Sequence, residues 1–139
     1  MVRKLIPDVV REQRLLKLPE TATVREAAQR MARRNVRSVL ITHRGKLMGI
    51  FTGTDLIKKV VAAGLDPNVT PLSDVMTRNP DCMAPRDNAI NALRCMHERH
   101  YRHLPIVDDG KLVGILSRRD FLGYEVDVIE RQEKIWEKM

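Results

Sequence analysis

The sequence repeats itself at an offset of 65 residues, and this duplication restricts the possible folds more than any other feature. GKLMGIFTGTD at residues 45–55 returns as GKLVGILSRRD at residues 110–120. Without a gap, residues 23–55 match residues 88–120 at eleven of thirty-three positions. A segment of about 65 residues buries little surface alone, so the two copies are expected to fold together.

Helices are predicted at matching places in the two copies. TVRE at residues 23–26 has the form of a capping box, and Val24, Ala27 and Met31 follow at helical spacing. The equivalent helix is predicted to begin near residues 87–88, with Met96 in the place of Met31. Both methionines are therefore expected in the core.

Short apolar runs at residues 38–42 and 103–107 are typical of strands. Glycine-bearing turns at residues 43–46 and 108–111 then lead into second strands. Each copy thus has the order strand, helix, strand, strand, helix. The predicted class is α/β (α+β), with two β-α-β-β-α motifs related by a pseudo-twofold axis and packed sheet to sheet.

Domain limits follow from the repeat. A first domain is predicted over residues 1–72, including the N-terminal segment and linker, a second over 73–124, and a terminal helix over 125–139. The second copy is expected to continue into that helix, where Trp136, Ile129 and Ile135 form a partly apolar stripe. The stripe is predicted to pack against a second subunit; the alternative is that the helix folds back on the basic N-terminal segment.

The net charge of +7 is concentrated at the front, where residues 1–37 hold ten Lys/Arg against four Asp/Glu. A basic segment attracts nucleic acid, nucleotide phosphates or an acidic partner, so nucleic-acid binding through this face is the alternative function. Two Phe, two Tyr and one Trp offer no stacking platform for bases, which argues against it.

The start of the chain lacks the apolar segment of a signal peptide, and no run approaches the ~18 apolar residues of a membrane helix. Two cysteines are too few for a disulfide framework. A reducing cytoplasm and no membrane partner are therefore expected.

The repeated phrase ends in a hydroxyl residue followed three positions later by an aspartate: Thr52 and Asp55, then Ser117 and Asp120. An aspartate in the first turn of a helix is favoured by the helix dipole alone. A carboxylate there can also accept hydrogen bonds from a ribose diol, with helix N–H groups nearby for phosphate. The spacing GxxTxxD is weak by itself, but its doubling favours a ribose site, in which the glycine would let a ligand approach the strand.

Several pieces of the chain carry a resemblance to a known family: DVMT (74–77), the paired GKLxGI strands, TGTD with SRRD, and RHLPIVDDGK (102–111). Over nearly its whole length the chain resembles a tandem pair of cystathionine β-synthase (CBS) domains, the Bateman module. Such pairs occur in inosine monophosphate dehydrogenase and in the gamma subunit of AMP-activated kinase, where they bind adenosine ligands and regulate a partner.

The resemblance implies a stand-alone regulatory module that binds AMP, ADP or ATP and needs no cofactor. It also implies a homodimer shaped as a four-domain disc, acting on a protein effector that the sequence does not identify. A ligand would prefer one arrangement of the copies and so change what the effector meets.

The resemblance further implies two clefts, in each of which one copy holds ribose and phosphate while the other frames the adenine. One site would consist of Thr52, Thr54, Asp55, Cys82, Met83, Tyr101, Arg102, His103 and Pro105. The other would consist of Ser117, Arg119, Asp120, Lys17, Leu18, Arg37, Ser38 and Val39.

Basic residues near these sites bear on the phosphates. Arg37 and Arg102 occupy about the place where the kinase gamma subunit has a phosphate-reaching basic residue, and the charges of Arg118 and Arg119 indicate that di- or triphosphates are tolerated. The first copy departs from the family pattern, with SVLI where the second has HLPI.

Metal binding and catalysis are not expected. In CMHERHYRH, His97 and His100 share a helical face, but Cys95 points elsewhere and His103 falls in the next strand. No nucleophile has an evident base and orienting acid, so the chain is predicted not to be an enzyme.

Overall fold

The repeat reappears in the elements of the computed structural model, which describes residues 2–11 and 13–138. The fold is mixed α/β, as predicted. Its contacts separate two compact units. We call them the first-copy unit (residues 14–80 and 110–112) and the second-copy unit (residues 2–11, 13, 81–109 and 113–138).

The first-copy unit contains the predicted strand, helix, strand, strand and helix, followed by a structured segment over residues 62–80 that we call the linker. Its elements are β1 (Lys17–Leu18), α1 (Val24–Arg34), β2 (Ser38–His43), β3 (Lys46–Thr52), α2 (Gly53–Asp55), a π-helical continuation of α2 (Leu56–Val61), α3 (Leu72–Val75) and β4 (Thr77–Arg78). Strand β1 runs parallel to β2, and β3 pairs antiparallel with both β2 and β4.

The second-copy unit repeats the central part of this order. Its elements are an irregular turn (Leu5–Val9), α4 (Ala89–Glu98), β5 (His103–Asp108), β6 (Lys111–Ser117), a 3-10 turn (Arg118–Asp120) and α5 (Gly123–Glu137). The first residues of β6 belong to the first-copy unit, where Lys111 pairs with Lys46.

The equivalent helices α1 and α4 begin where the sequence predicts. The Thr23 hydroxyl accepts a hydrogen bond from the Glu26 N–H at 3.2 Å, and the Asn88 side chain accepts one from the Asn91 N–H at 2.7 Å. Each hydrogen bond satisfies an N–H group that the first helical turn leaves without a partner.

The hairpin turns are also equivalent. Arg44 and Gly45 have φ of 51° and 81°, and Asp109 and Gly110 have φ of 49° and 78°. Two successive left-handed residues form a type I′ turn, whose twist matches that of the flanking strands. Glycine at the second position adopts this backbone without steric cost.

Each unit has its own hydrophobic cluster. The first-copy cluster comprises Leu16, Leu18, Ala22, Val24, Ala27, Met31, Val39, Ile41, Phe51, Val60, Leu72, Val75 and Met76. The second-copy cluster comprises Leu5, Val10, Ala92, Met96, Leu104, Ile106 and Leu116. The prediction that Met31 and Met96 are core residues is confirmed.

The N-terminal segment packs with the second copy, although the sequence places it in the first domain. Leu5 is fully buried in the second-copy cluster, the Leu5 N–H donates to the Asp87 carbonyl at 2.9 Å, and the Ala89 N–H donates to the Arg3 carbonyl at 2.8 Å. The linker, which precedes the second copy along the chain, packs with the first copy, because Leu72 lies in the first-copy cluster. The limits at residues 72 and 124 and the sheet-to-sheet packing stay predictions.

The second copy does not run straight into its terminal helix. After the 3-10 turn, Phe121 has extended backbone angles, and Leu122 is the extended N-cap of α5. The Leu122 N–H donates to the Glu125 carboxylate at 2.8 Å, which starts a new helix instead of prolonging the turn.

The apolar stripe on α5 is smaller than predicted. Ile129 is buried within its own unit, where α5 packs on α4. Ile135 and Trp136 are 60% and 75% exposed. In the first-copy unit Ile57 and Val61 are exposed as well, one turn apart. No helix within residues 2–11 and 13–138 has the length and apolar character needed to cross a bilayer.

Candidate functional site

Gly49 of the repeated phrase lies directly under the linker strand β4. A β-carbon at Gly49 would stand 2.8 Å from both the Met76 sulfur and the Thr77 carbonyl oxygen. The approach of another chain segment, and not that of a ligand, therefore accounts for this glycine.

Gly114 has the same role in the second copy with a different neighbour. A β-carbon there would stand 3.2 Å from the Gln13 side-chain oxygen and from an Ile106 methyl group. The Gln13 amide accepts from the Ile115 N–H and donates to the Ile115 carbonyl, both at 2.9 Å. One side chain thus replaces the strand pairing that β4 provides in the first copy.

The hydroxyl–aspartate spacing forms a capping interaction in both copies. Asp55 Oδ2 accepts from the Thr52 N–H at 3.0 Å and the Thr52 hydroxyl at 3.2 Å. Asp120 Oδ2 accepts from the Ser117 N–H at 2.6 Å and the Ser117 hydroxyl at 3.3 Å. The conformation of each phrase uses one carboxylate oxygen and leaves the other for a different partner.

The second oxygen distinguishes the copies. Asp55 Oδ1 lies 3.3 Å from the Lys59 ammonium. Asp120 Oδ1 has no ion-pair or hydrogen-bond partner within the part of the chain that the structure describes. Both aspartates are half-buried, so a ligand in solution can reach them.

The first-copy unit brings Ser38 opposite Thr52 in the β2–β3 register, and the Gly53 N–H donates to the Arg37 carbonyl at 2.9 Å. Lys17 pairs with Leu40 on the neighbouring strand. The resemblance implied that Thr52 belongs to one binding site and that Lys17, Arg37 and Ser38 belong to the other. The pairing of each aspartate with residues of the other copy stays a prediction.

The predicted site residues of this unit differ in exposure. Lys17, Arg37 and Thr54 are exposed, whereas Ser38, Leu18 and Val39 are buried. Since Leu18 and Val39 belong to the hydrophobic cluster, their side chains are committed to the core.

In the second-copy unit the Met83 N–H donates to the Pro105 carbonyl at 2.9 Å, which places the segment around Met83 beside β5. The Arg118 side chain donates to the Tyr101 carbonyl at 3.3 Å, so its guanidinium lies beside β5. The other predicted residues fall into two groups by exposure: Cys82, Arg102 and Arg119 are exposed, and His103 and Ser117 are half-buried.

Asp81 adds a charged cluster that the sequence did not predict. Its carboxylate accepts from the Tyr101 hydroxyl and lies 2.5 Å from the Arg99 guanidinium. The hydrogen bonds from Tyr101 and Arg99 lower the pKa of Asp81, and the same carboxylate raises the pKa of Tyr101. The Tyr101 ring is thereby held in one orientation. Partial desolvation of the Cys82 sulfur and the nearby Asp81 carboxylate raise the pKa of the thiol, although the residue as a whole is exposed, and so keep it protonated and a weak nucleophile.

An ion pair at the start of α5 was also missed. Arg3 donates to both Glu125 oxygens, at 2.6 and 3.2 Å, and to the Asp120 carbonyl at 3.3 Å. Burial alone would raise the pKa of Glu125, but the hydrogen bonds from Arg3 and Leu122 outweigh it and lower that pKa. The repeat gave no signal, because the 65-residue offset matches Arg3 with Asn68 and Glu125 with Val60, neither of which is charged.

No group of three metal-ligating side chains occurs among residues 2–11 and 13–138. His97 instead lies 2.9 Å from the Glu133 carboxylate, on the helix that packs beside it. These contacts leave the two aspartate phrases as the candidate binding features.

A helix-strand-strand order that occurs twice, with a capped and accessible aspartate after each strand pair, is typical of α/β modules built from a repeat. The family model described as "CBS domain" matches residues 5–62 and 72–127. The chain belongs to the CBS domain family, as the resemblance implied.

Relatives share this region. CBS domain-containing protein CBSCBSPB3 of Arabidopsis thaliana is 38% identical over 130 residues, or 93% of this chain, which spans only 23% of that protein's length. YhcV of Bacillus subtilis is 35% identical over 98 residues, with 70% of this chain and 69% of YhcV covered.

Among solved structures, CBS domain protein PAE2072 from Pyrobaculum aerophilum, complexed with AMP, is similar with a TM-score of 0.77. The match is 28% identical and covers 87% of this chain and 95% of that one.

Proposed function

We propose that this chain is a regulatory CBS pair that binds an adenosine-containing ligand (AMP, ADP or ATP), with Asp55 and Asp120 as its ribose-binding carboxylates. The observation that carries the proposal is the similarity over nearly the whole chain to a CBS protein complexed with AMP. An accessible aspartate in each copy supports it, since a carboxylate accepts hydrogen bonds from ribose hydroxyls.

The phosphates would meet exposed cations. Arg119 directly precedes Asp120, Arg37 is exposed and its carbonyl accepts from the Gly53 N–H of the first phrase, and Arg102 is exposed at the start of β5. Arginine binds phosphate through two parallel hydrogen bonds, so these residues favour a charged nucleotide over free adenosine.

The proposed role is regulation and not catalysis, in a cytoplasmic setting. A ligand that binds one conformation better than another shifts the population by its difference in affinity and so alters what an effector protein meets.

We also propose a homodimer. Ile135 and Trp136 on α5, and Ile57 and Val61 after α2, present exposed apolar pairs on helices. Exposed apolar patches on helices mark interaction sites, and self-association in a four-domain disc would cover them.

The test is calorimetric titration of the whole chain with AMP, ADP and ATP at physiological salt. The wild-type protein should bind at least one of them saturably, and Asp55→Asn/Asp120→Asn should not. Asparagine keeps an oxygen for the capping N–H groups but loses the charge. Asp127→Asn is the control, since Asp127 is exposed on α5. Equal binding by the double variant and the wild type would refute the assigned carboxylates.

Nucleic-acid binding is a second candidate because α1 exposes Arg25, Arg30 and Arg33 on one short helix. Affinity for RNA or DNA would then fall steeply between 50 and 200 mM salt, as counterions are released. Nucleotide binding anchored on ribose should change much less. Titration of a short duplex at both salt concentrations separates the two functions.

A further inference from the structure

The two aspartate phrases are not chemically equivalent, because Lys59 follows Asp55 at one helical turn while Tyr124 occupies the matching place after Asp120. Lys59 Nζ lies 3.3 Å from Asp55 Oδ1, the oxygen that Thr52 does not use. Tyr124 instead interacts with the Arg3 guanidinium.

Lys59 is held by more than Asp55. Its ammonium also donates to the Val75 carbonyl at 3.2 Å and to the Thr77 hydroxyl at 3.3 Å. Three acceptors from the helix after β3 and from the linker therefore fix one cation against the Asp55 carboxylate. Lys59, whose side chain is 42% exposed, is thus placed as the counterion of Asp55.

A vicinal diol needs carboxylate oxygens as acceptors. At Asp120 one oxygen is engaged by Ser117, and the other has no partner in the described chain. At Asp55 the first oxygen is engaged by Thr52 and the second by Lys59. A ribose that binds at Asp55 must share or displace the ammonium, whereas one at Asp120 meets an open acceptor.

We propose that Lys59 makes the two sites unequal: it competes with the ribose diol for Asp55, so that the Asp120 site binds first and the Asp55 site fills only at higher ligand concentration. This inference rests on the proposed function and adds the order in which its sites fill. The Asp55 site is then occupied over a higher range of nucleotide concentration than the Asp120 site.

Three variants test the proposal in an Asp120→Asn chain, which retains only the Asp55 site. Lys59→Met should tighten AMP binding about two- to fivefold, the range expected for loss of a partly exposed ion pair. Lys58→Met is the matched control, because Lys58 is exposed on the same helix, and it should change nothing. Lys59→Arg keeps a cation beside Asp55 and should bind as the parent does.

Unchanged or weaker AMP binding by Lys59→Met, with the Lys58 control unchanged, would overturn the competition and assign Lys59 to the ligand's phosphate or to structure. The wild-type chain gives an independent readout if Lys59→Met folds poorly. In a chain that keeps Lys59, Asp120→Asn should remove the tighter of two AMP sites and Asp55→Asn the weaker. Loss of the tighter site in Asp55→Asn would contradict the proposal. Absence of AMP binding by the wild type would overturn the proposed function itself, a result distinct from either of these.

Discussion

At the residue scale, the glycines of the repeated phrase are required by the chain segments that pass over them. The added β-carbon of Gly49→Ala would stand 2.8 Å from a carbonyl oxygen of β4, which is backbone and cannot turn aside. We expect the free energy of unfolding to fall by about 1–3 kcal/mol, as for other overpacked positions.

Gly114 and Gly123 provide the comparison for this prediction. Gly114→Ala meets a flexible glutamine side chain and a methyl group at 3.2 Å, so it should cost less than Gly49→Ala. Gly123→Ala meets nothing within 4 Å and should be neutral or stabilising. Urea melts of the three variants rank them, and a Gly49→Ala protein as stable as wild type would show that the approach of β4 is not tight.

Residue types and their spacing therefore located the capped aspartates and some of their local partners. The sequence alone placed Thr52 and Asp55, or Ser117 and Asp120, three positions apart before a helix, and it placed Lys59 one helical turn after Asp55. That Lys59 also reaches the Val75 carbonyl and the Thr77 hydroxyl depends on the fold. Asp81, which orders Tyr101, also lies outside the repeated phrase, so no pattern pointed to it.

At the element scale, the ion pair between Arg3 and Glu125 anchors the N-terminal segment to the start of α5. The Glu125 side chain is 1% exposed and that of Arg3 is 18% exposed. Arg3→Met leaves a buried carboxylate without its cation and should lower the free energy of unfolding by about 3 kcal/mol. Lys4→Met, at the exposed neighbouring position, should stay within about 0.5 kcal/mol of wild type.

The coupling between the two residues is measured by adding Glu125→Gln. Glutamine keeps an acceptor for the Leu122 N–H but carries no charge, so the double variant should be no less stable than Arg3→Met alone. A double variant whose loss equals the sum of the single losses would mean that the ion pair contributes nothing.

The same pair predicts a pH dependence. Because the folded state lowers the pKa of Glu125, its stabilisation is complete above the unfolded value of about 4.3. It is lost as the pH falls through the lower, folded value. The stability difference between wild type and Glu125→Gln should therefore be constant near neutral pH and shrink below about pH 4. Urea melts of the two proteins near neutral pH and below about pH 4 check this. A stability difference between them that grows on acidification would contradict the prediction.

Helix starts, hairpin turns and strand runs were predictable because each rests on local chemistry. Thr23 and Asn88 cap their helices, and Gly45 and Gly110 take left-handed turns, with no help from distant residues. The N-terminal segment was placed in the first domain because it precedes that copy along the chain. Its packing with the second copy depends on where Leu5 and Arg3 find partners, which the repeat does not encode.

At the scale of the whole molecule, the exposed apolar residues predict self-association. Light scattering after gel filtration should give about twice the 16.0 kDa chain mass for wild type and a shift toward the monomer for Trp136→Glu. Val69→Ser is the control, since Val69 is 73% exposed and belongs to neither of these helices. A monomeric wild type, or an unchanged mass for Trp136→Glu, would contradict association through α5.

Asp120, the proposed acceptor for a ribose diol, is the residue to test most directly. The measurement is calorimetric titration of the Asp55→Asn chain, which keeps only the Asp120 site, with AMP and with 2′,3′-dideoxy-AMP. AMP should bind at least about tenfold more tightly, because a hydrogen bond to a charged group contributes about 1.5–3 kcal/mol. Equal affinities for the two nucleotides would show that Asp120 does not hold the ribose and would contradict the proposed site.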